Sequence, residues 1–245
     1  MARSVVATAR RTVRRAATWR PKQDGTESLD VGRLISPFRY DVVVRAQLFD
    51  AVADRPEGGS IEDFVASVAE HPYAVWFREV ELRRFFPWML SDPRQVAEAY
   101  AARVARAVTT FESFEQRGFD TGRPIMLRCL ARPTASDSGV LVPRVLHLGD
   151  GGHRLALLYR SGSRLEPSMH RIDPRPNRVI DNTAILVPAL GLGEHDYAAF
   201  LSLGFLEEVA TSLDGLWTGV ERRCPERLGE LEALVAAQWR DRVQR

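Results

Sequence analysis

Val145-Leu146-His147-Leu148-Gly149-Asp150-Gly151-Gly152-His153-Arg154-Leu155-Ala156 decides how this chain is read. Val140–Leu148 is apolar and β-branched enough to be a strand. Asp150-Gly151-Gly152 is a tight turn, because an aspartate before two glycines supplies both a turn-forming side chain and left-handed freedom. His153–Tyr159 then has the composition of a helix, ending near Gly162. Glycines between a buried strand and a helix let successive backbone N–H groups point the same way. Such a nest at a helix N-terminus binds anions. His153 and Arg154 stand in that first turn, where cationic side chains oppose the helix dipole. A bound polyanion would relieve the conflict, which marks the segment as a candidate site.

Working outward, Asp92-Pro93 predicts the start of a long helix through about Arg117, with Val96, Tyr100, Val104, Val108 and Phe111 at helical spacing. Gly118 stops it, and Pro124–Leu130 reads as a strand. Helix, glycine, strand, strand, glycine turn, helix is the order of an α/β (α+β) protein. Ile185–Pro188 is expected to be a further strand, followed by a helix carrying Tyr197, Phe200 and Leu201. A last helix carries Leu228, Leu231, Leu234 and Val235. Upstream, Tyr40–Val44 is rich in β-branched residues and strand-like, with helical spacing through Leu48 and Val52. Ser60 and Asp63 form a helix cap before Phe64. His71–Leu90 holds Tyr73, Trp76, Phe77, Phe85, Phe86 and Trp88, a density expected of a packed helical layer. The chain therefore divides into a basic arm and linker (1–30), an aromatic helical layer (31–92), an α/β core (93–190) and a C-terminal helical segment (191–245).

The chain has 245 residues, long enough to bury a core without disulfide or metal. Cys129 and Cys224 are far apart and suggest free thiols in a reducing compartment. The five histidines are scattered, against a histidine-built metal site. Lys22 is the sole lysine among 34 basic residues, so phosphate recognition falls to arginine, histidine and backbone N–H groups. Seven of those 34 lie in residues 1–22, which have no acid, leaving 27 basic against 32 acidic in the rest. This arm has a weak apolar stripe of Val5, Val6, Ala9, Val13, Ala16 and Ala17, suited to an anionic membrane surface or to nucleic acid. No signal-peptide run and no membrane-span run is present, which predicts a cytoplasmic protein, peripheral to the membrane if the arm engages it.

Gly151-Gly152-His153-Arg154, with Arg117-Gly118 and Arg123-Pro124-Ile125-Met126-Leu127 upstream, resembles the G-x-H-R box and its context in the ParB/sulfiredoxin superfamily. The resemblance covers residues 95–172 or so. It implies a small α/β domain whose loop, Gly151, Gly152, His153 and Arg154, holds nucleotide phosphates, with ATP or CTP and Mg²⁺ as the implied cofactors. It departs from the sulfinic reductases, which need a cysteine where Gly152 stands. It also departs from the partitioning clamps, since no DNA-reading helix-turn-helix follows residue 175. What remains is an ATP-dependent phosphotransferase acting on an unidentified small-molecule acceptor. The alternative is a nucleotide-gated adaptor that touches membrane or nucleic acid through residues 1–22. In the enzyme reading Arg154 clamps phosphate oxygens. His153 stabilises developing charge. Asp150 orients the loop, holds a metal ion or aligns the acceptor as base. Four further groups of candidates lie outside the box. Arg39, Asp41 and Arg45 read as ordinary surface pairs, Glu79 and Arg83 as a helical i, i+4 pair, His147 as a satisfied core histidine, and His170 with Arg171 as members of the next strand.

Overall fold

The computed structural model describes residues 27–130, 132–142, 146–173 and 179–239. The basic arm, Arg3 to Lys22, lies outside the described residues. The class is the mixed helix-and-strand one expected from the sequence.

Helix α1 (Val31–Ile35) is started by Asp30, whose carboxylate accepts from the Arg33 N–H at 3.2 Å. Helix α2 (Tyr40–Ala53) corrects the strand-like reading of Tyr40–Val44. Tyr40, Val42, Val44, Leu48, Phe49 and Val52 are all buried, so the helix is apolar around most of its circumference. Such a helix belongs in the interior, and burial there outweighs the modest helical cost of three successive valines. It lies against the helix Gly152–Arg160 that follows the glycine turn.

Helix α3 (Ile61–Ser67) begins as expected, with Ser60 Oγ accepting from the Asp63 N–H at 3.0 Å. Pro72 opens α4 (Pro72–Trp76), which continues through a π-helical stretch, Phe77–Leu82, into the short α5 (Arg83–Phe85). This is the aromatic segment, and it divides in two. Tyr73, Trp76 and Phe77 are buried, whereas Phe85, Phe86 and Trp88 are 51%, 40% and 65% exposed. The packed layer expected over the whole run therefore holds for its first half only.

Helix α6 (Pro93–Arg117) has its expected ends. Asp92 caps the Arg94 and Gln95 N–H groups, and Gly118 leaves the helix at φ 72°. Strand β1 (Ile125–Cys129) is the centre of a three-stranded sheet. It is antiparallel to β4 (Leu146–Asp150) and parallel to β5 (His170–Asp173). Strands β2 (Thr134–Ala135) and β3 (Leu141–Val142) form a separate small ladder. The single strand expected over 140–148 is thus divided between two sheets. Helix α7 (Gly152–Arg160) crosses from β4 towards β5 and buries Leu155, Ala156, Leu157 and Leu158.

The strand expected at Ile185–Pro188 is helix α8 (Asn182–Ala189), capped by Asp181, whose carboxylate accepts from the Ala184 N–H at 3.0 Å. A short apolar run does not distinguish strand from buried helix by periodicity, and here the cap decides. Helices α9 (Glu194–Phe205), α10 (Leu213–Arg223) and α11 (Leu228–Gln238) complete the described chain. The hydrophobic core runs continuously from Leu29 to Trp239 through all three expected segments of the body.

Candidate functional site

The glycine turn is positioned by a β-bulge. Leu127 on β1 faces Leu148, yet Met126, one residue earlier, faces Asp150. Gly149 is the extra residue. A β-carbon there would sit 2.9 Å from Arg128 Cγ and Nε and 3.1 Å from the Met126 carbonyl, so the bulge requires glycine. Leu146 and Leu148 point into the core. Without the bulge, Asp150 would share their face, because strand side chains alternate. The bulge turns Asp150 outward, where it is exposed, with Oδ1 accepting from the Gly151 N–H at 2.7 Å.

Gly151 follows at φ 96°, the left-handed conformation that lets the chain reverse into α7. Among the described residues no side chain caps α7. The first helical bond runs from the Leu155 N–H to the Gly151 carbonyl. The N–H groups of Gly152, His153 and Arg154 have no partner among the described residues, and they carry the positive end of the helix dipole.

Arg39, Asp41 and Arg45 lie against this turn. They are not the surface pairs that the sequence suggests. Asp41 is wholly buried and Arg45 is 7% exposed. Arg39 grips Asp41 through two bonds of 2.7 and 2.9 Å and donates to the Leu148 carbonyl at 3.1 Å, tying α2 to the end of β4. Arg45 pairs with the same carboxylate and donates to the Asp41 carbonyl at 3.1 Å. Its guanidinium lies 4.1 Å from the centre of the Trp76 ring. A β-carbon on Gly152 would be only 3.2 Å from Arg45 Cζ and Nη1, so the helix start and the guanidinium are in close approach. Burial raises the Asp41 carboxyl, but Arg39 and Arg45 outweigh it and hold the group well below the usual carboxylate range. Burial likewise disfavours charge on Arg39, and Asp41, with Asp150 in support, more than restores it. Two guanidiniums share the one buried carboxylate of Asp41, and the exposed Asp150 carboxylate adds negative charge near Arg39. The Arg45 Nε finds no hydrogen-bond partner among the described residues.

These groups line one cleft of about 790 Å³. Its wall includes Arg39, Arg45, His147, the Gly149–His153 turn, Trp76, Arg84 and Phe85. Arg103 also lines it and is paired with Glu81, and Arg84 is held by Asp137 at 2.5 Å. His147 is half-buried on this wall rather than deep in the core. Burial, then Arg39 and Arg128, push its imidazole down to about 4, so it is neutral near pH 7.

Of the residues expected to carry the site, Asp150, Gly151, Gly152 and His153 reach the cleft. His153 is not the cation expected at the helix start. Its Nε2 is 2.8 Å from the Tyr73 hydroxyl, with the rings of Phe49, Tyr73 and Trp76 around it. Burial first, then Arg45 and Arg103, hold its imidazole well below its ordinary value. Arg154 turns to the other side of the loop. Its Nη1 donates to the Pro124 carbonyl at 3.1 Å, and its Nη2 would be 3.1 Å from a β-carbon on Gly151. It braces the turn against the start of β1 instead of clamping a ligand in the cleft. The positive charge is supplied by Arg39 and Arg45. Their signal was present in the sequence: Asp41 and Arg45 stand at i, i+4 within an otherwise apolar helical run. His170 and Arg171 lie on β5 as expected, and Glu79–Arg83 is an ion pair of 2.9 Å.

Among the described residues no group of three or more His, Cys, Asp or Glu is placed to hold a metal ion. No helix among them is long and apolar enough to cross a membrane. Comparison with family models, with curated proteins and with solved structures finds no match to this chain.

Proposed function

We propose that this protein binds nucleotide phosphates at the Asp150–His153 turn, in the manner of the ParB/sulfiredoxin superfamily, and acts as an ATP-dependent phosphotransferase on a small molecule. The observation that carries the reading is the pair of guanidiniums that share one buried carboxylate beside the start of α7. Two cations on a single buried anion favour the approach of a further anion. They lie next to helix-start N–H groups that have no partner among the described residues, on the wall of a cleft. A phosphate group brings negative charge and accepts from both kinds of donor.

The residues fit a nucleotide in these respects. The Gly152 and His153 N–H groups, with Arg39 and Arg45, would hold phosphate oxygens. The absence of a side chain at Gly152 lets the Arg45 guanidinium lie against the helix start. A bound nucleotide supplies the phosphoryl group to be transferred. Asp150, turned out by the bulge, is the carboxylate at the turn, suited to orient an acceptor hydroxyl and take its proton. A magnesium ion would arrive with the phosphates and find Asp150 as its protein ligand, consistent with that ion's habit of using few carboxylates. His153, neutral and bonded to Tyr73, shapes the wall and gives its backbone N–H; charge stabilisation falls to the arginines.

The test is calorimetric titration of ATP and CTP, with Mg²⁺, into wild type, Arg39→Gln and Asp150→Asn. Arg39→Gln is expected to bind at least tenfold more weakly, about 1.4 kcal/mol. Asp150→Asn is expected to keep the affinity for nucleotide alone, to lose the part that Mg²⁺ adds, and to lose transfer in an acceptor screen. Absence of binding by wild type at millimolar nucleotide overturns the reading.

A further inference from the structure

We infer that Phe85 is the stacking platform for the nucleotide's base, so that the cleft reads an aromatic ring at one part of its wall and phosphates at another. This inference rests on the phosphate reading above. Three observations carry it. The cleft, at about 790 Å³, is far larger than a chain of phosphates requires, and its size is that of sites for whole small-molecule ligands.

The aromatic residues of the wall are also unequal. Trp76 is 1% exposed, with the Arg45 guanidinium over its ring. Phe205 is 8% exposed, with the Arg227 guanidinium 4.0 Å from its ring centre. Neither offers an open face, and Phe38, a further aromatic residue of the wall, is half-buried and packs against both hydrophobic clusters. Phe85 is 51% exposed and, among the described residues, pairs with no other ring and no guanidinium. Phe86 and Trp88, its exposed neighbours, pack edge-to-face on each other at 5.6 Å.

Finally, the position of Phe85 is fixed. The Phe86 N–H donates to the Leu82 carbonyl at 2.8 Å, closing the turn that carries it. On its other side Arg84 is tied to Asp137 at 2.5 Å, which anchors α5 to the turn between β2 and β3. A large apolar ring held open to water on the wall of a cleft is an incomplete contact. A nucleobase, flat and apolar on its faces, completes it, and the energetics of base-on-aromatic stacking do not depend strongly on which base is bound. The rest of the wall, where Arg33, Arg164 and Glu226 stand, is left for the acceptor.

The experiment is calorimetry of ATP, CTP and inorganic tripolyphosphate, each with Mg²⁺, against wild type, Phe85→Ala and Phe85→Tyr. Because the ring is exposed, its removal leaves the core intact, and circular dichroism checks this. Expected is a loss of tenfold or more for both nucleotides in Phe85→Ala, restoration in Phe85→Tyr, and unchanged tripolyphosphate affinity in all three. If Phe85→Ala binds ATP and CTP as wild type does, the platform is refuted while the phosphate site stands. The same holds if tripolyphosphate binds wild type as tightly as the nucleotides do. If none of the three ligands binds wild type, the phosphate site fails and the platform with it.

Discussion

Replacing Asp41 by asparagine isolates the electrostatic core of the cleft. The side chain is wholly buried, and it accepts from Arg39 at 2.7 and 2.9 Å and from Arg45. Asparagine keeps the shape but removes the charge, and its amide group presents donors to donors. The two guanidiniums, with side chains 15% and 8% exposed, are then left without their shared counter-charge. Removing one partner of a buried ion pair costs about 3–5 kcal/mol, a large part of the 5–15 kcal/mol or so that a folded protein of this kind has. The assay is urea unfolding followed by circular dichroism, extrapolated to water. Its pH dependence adds a second check. The folded Asp41 carboxyl titrates far below its unfolded value of about 3.9. Its contribution is therefore complete above that value and is lost as pH falls below it towards the folded one. The gap between wild type and Asp41→Asn should be constant from pH 7 to about pH 5 and should narrow below about pH 4. A gap under 1 kcal/mol at pH 7, or one that does not narrow in acid, refutes the reasoning.

Gly149→Ala places a methyl group against Arg128, whose guanidinium is held by Asp173 at 2.5 Å and so yields poorly. A loss of about 1–3 kcal/mol is expected in the same unfolding assay. The His153 imidazole should show no protonation midpoint between pH 6 and 8 in an NMR titration, because burial and the neighbouring arginines oppose its charge; a midpoint near 6.5 would place it in water. Asp181 is raised to about 6, chiefly by burial, against hydrogen bonds from Ser138, Gln238 and the Ala184 N–H. An acid raised on folding favours the folded state at low pH, and that contribution is lost as pH climbs through about 6. Asp181→Asn should therefore flatten a decline in wild-type stability between about pH 4 and pH 7, on the order of 2–3 kcal/mol. Equal slopes for the two proteins would reject the assignment.

The mixed class, the long helix Pro93–Arg117 and the strand–turn–helix around Asp150 were legible because local rules agree there. Asp92-Pro93 and Gly118 mark both helix ends, and the paired glycines mark the turn. Tyr40–Val44 and Ile185–Pro188 misled for one shared reason. Short runs of Val, Ile and Leu suit a buried helix as well as a strand, and only tertiary burial separates them. Phe85 and Trp88 could not be told from Tyr73 and Trp76 by composition, since exposure depends on what packs above them. The glycines mark the turn, but the charges packed beside it are not those of the box. His153 and Arg154 are adjacent to the turn in sequence, whereas Arg39 and Arg45 come to it from more than a hundred residues away through α2. Nothing within the box announces them.

The bulge at Gly149 makes β4 unforgiving about length. Surface loops elsewhere in the chain can gain or lose a residue and only change their arc. Deleting one residue from β4 would leave a strand of nearly the same extent, but it would exchange inside for outside at the tip. Asp150 would be driven towards the hydrocarbon interior, and the neighbouring N–H groups would swing with it. Among related chains, then, a gap in this strand would mean more than divergence. It would mark a protein in which the turn has been given up while the scaffold beneath it survives.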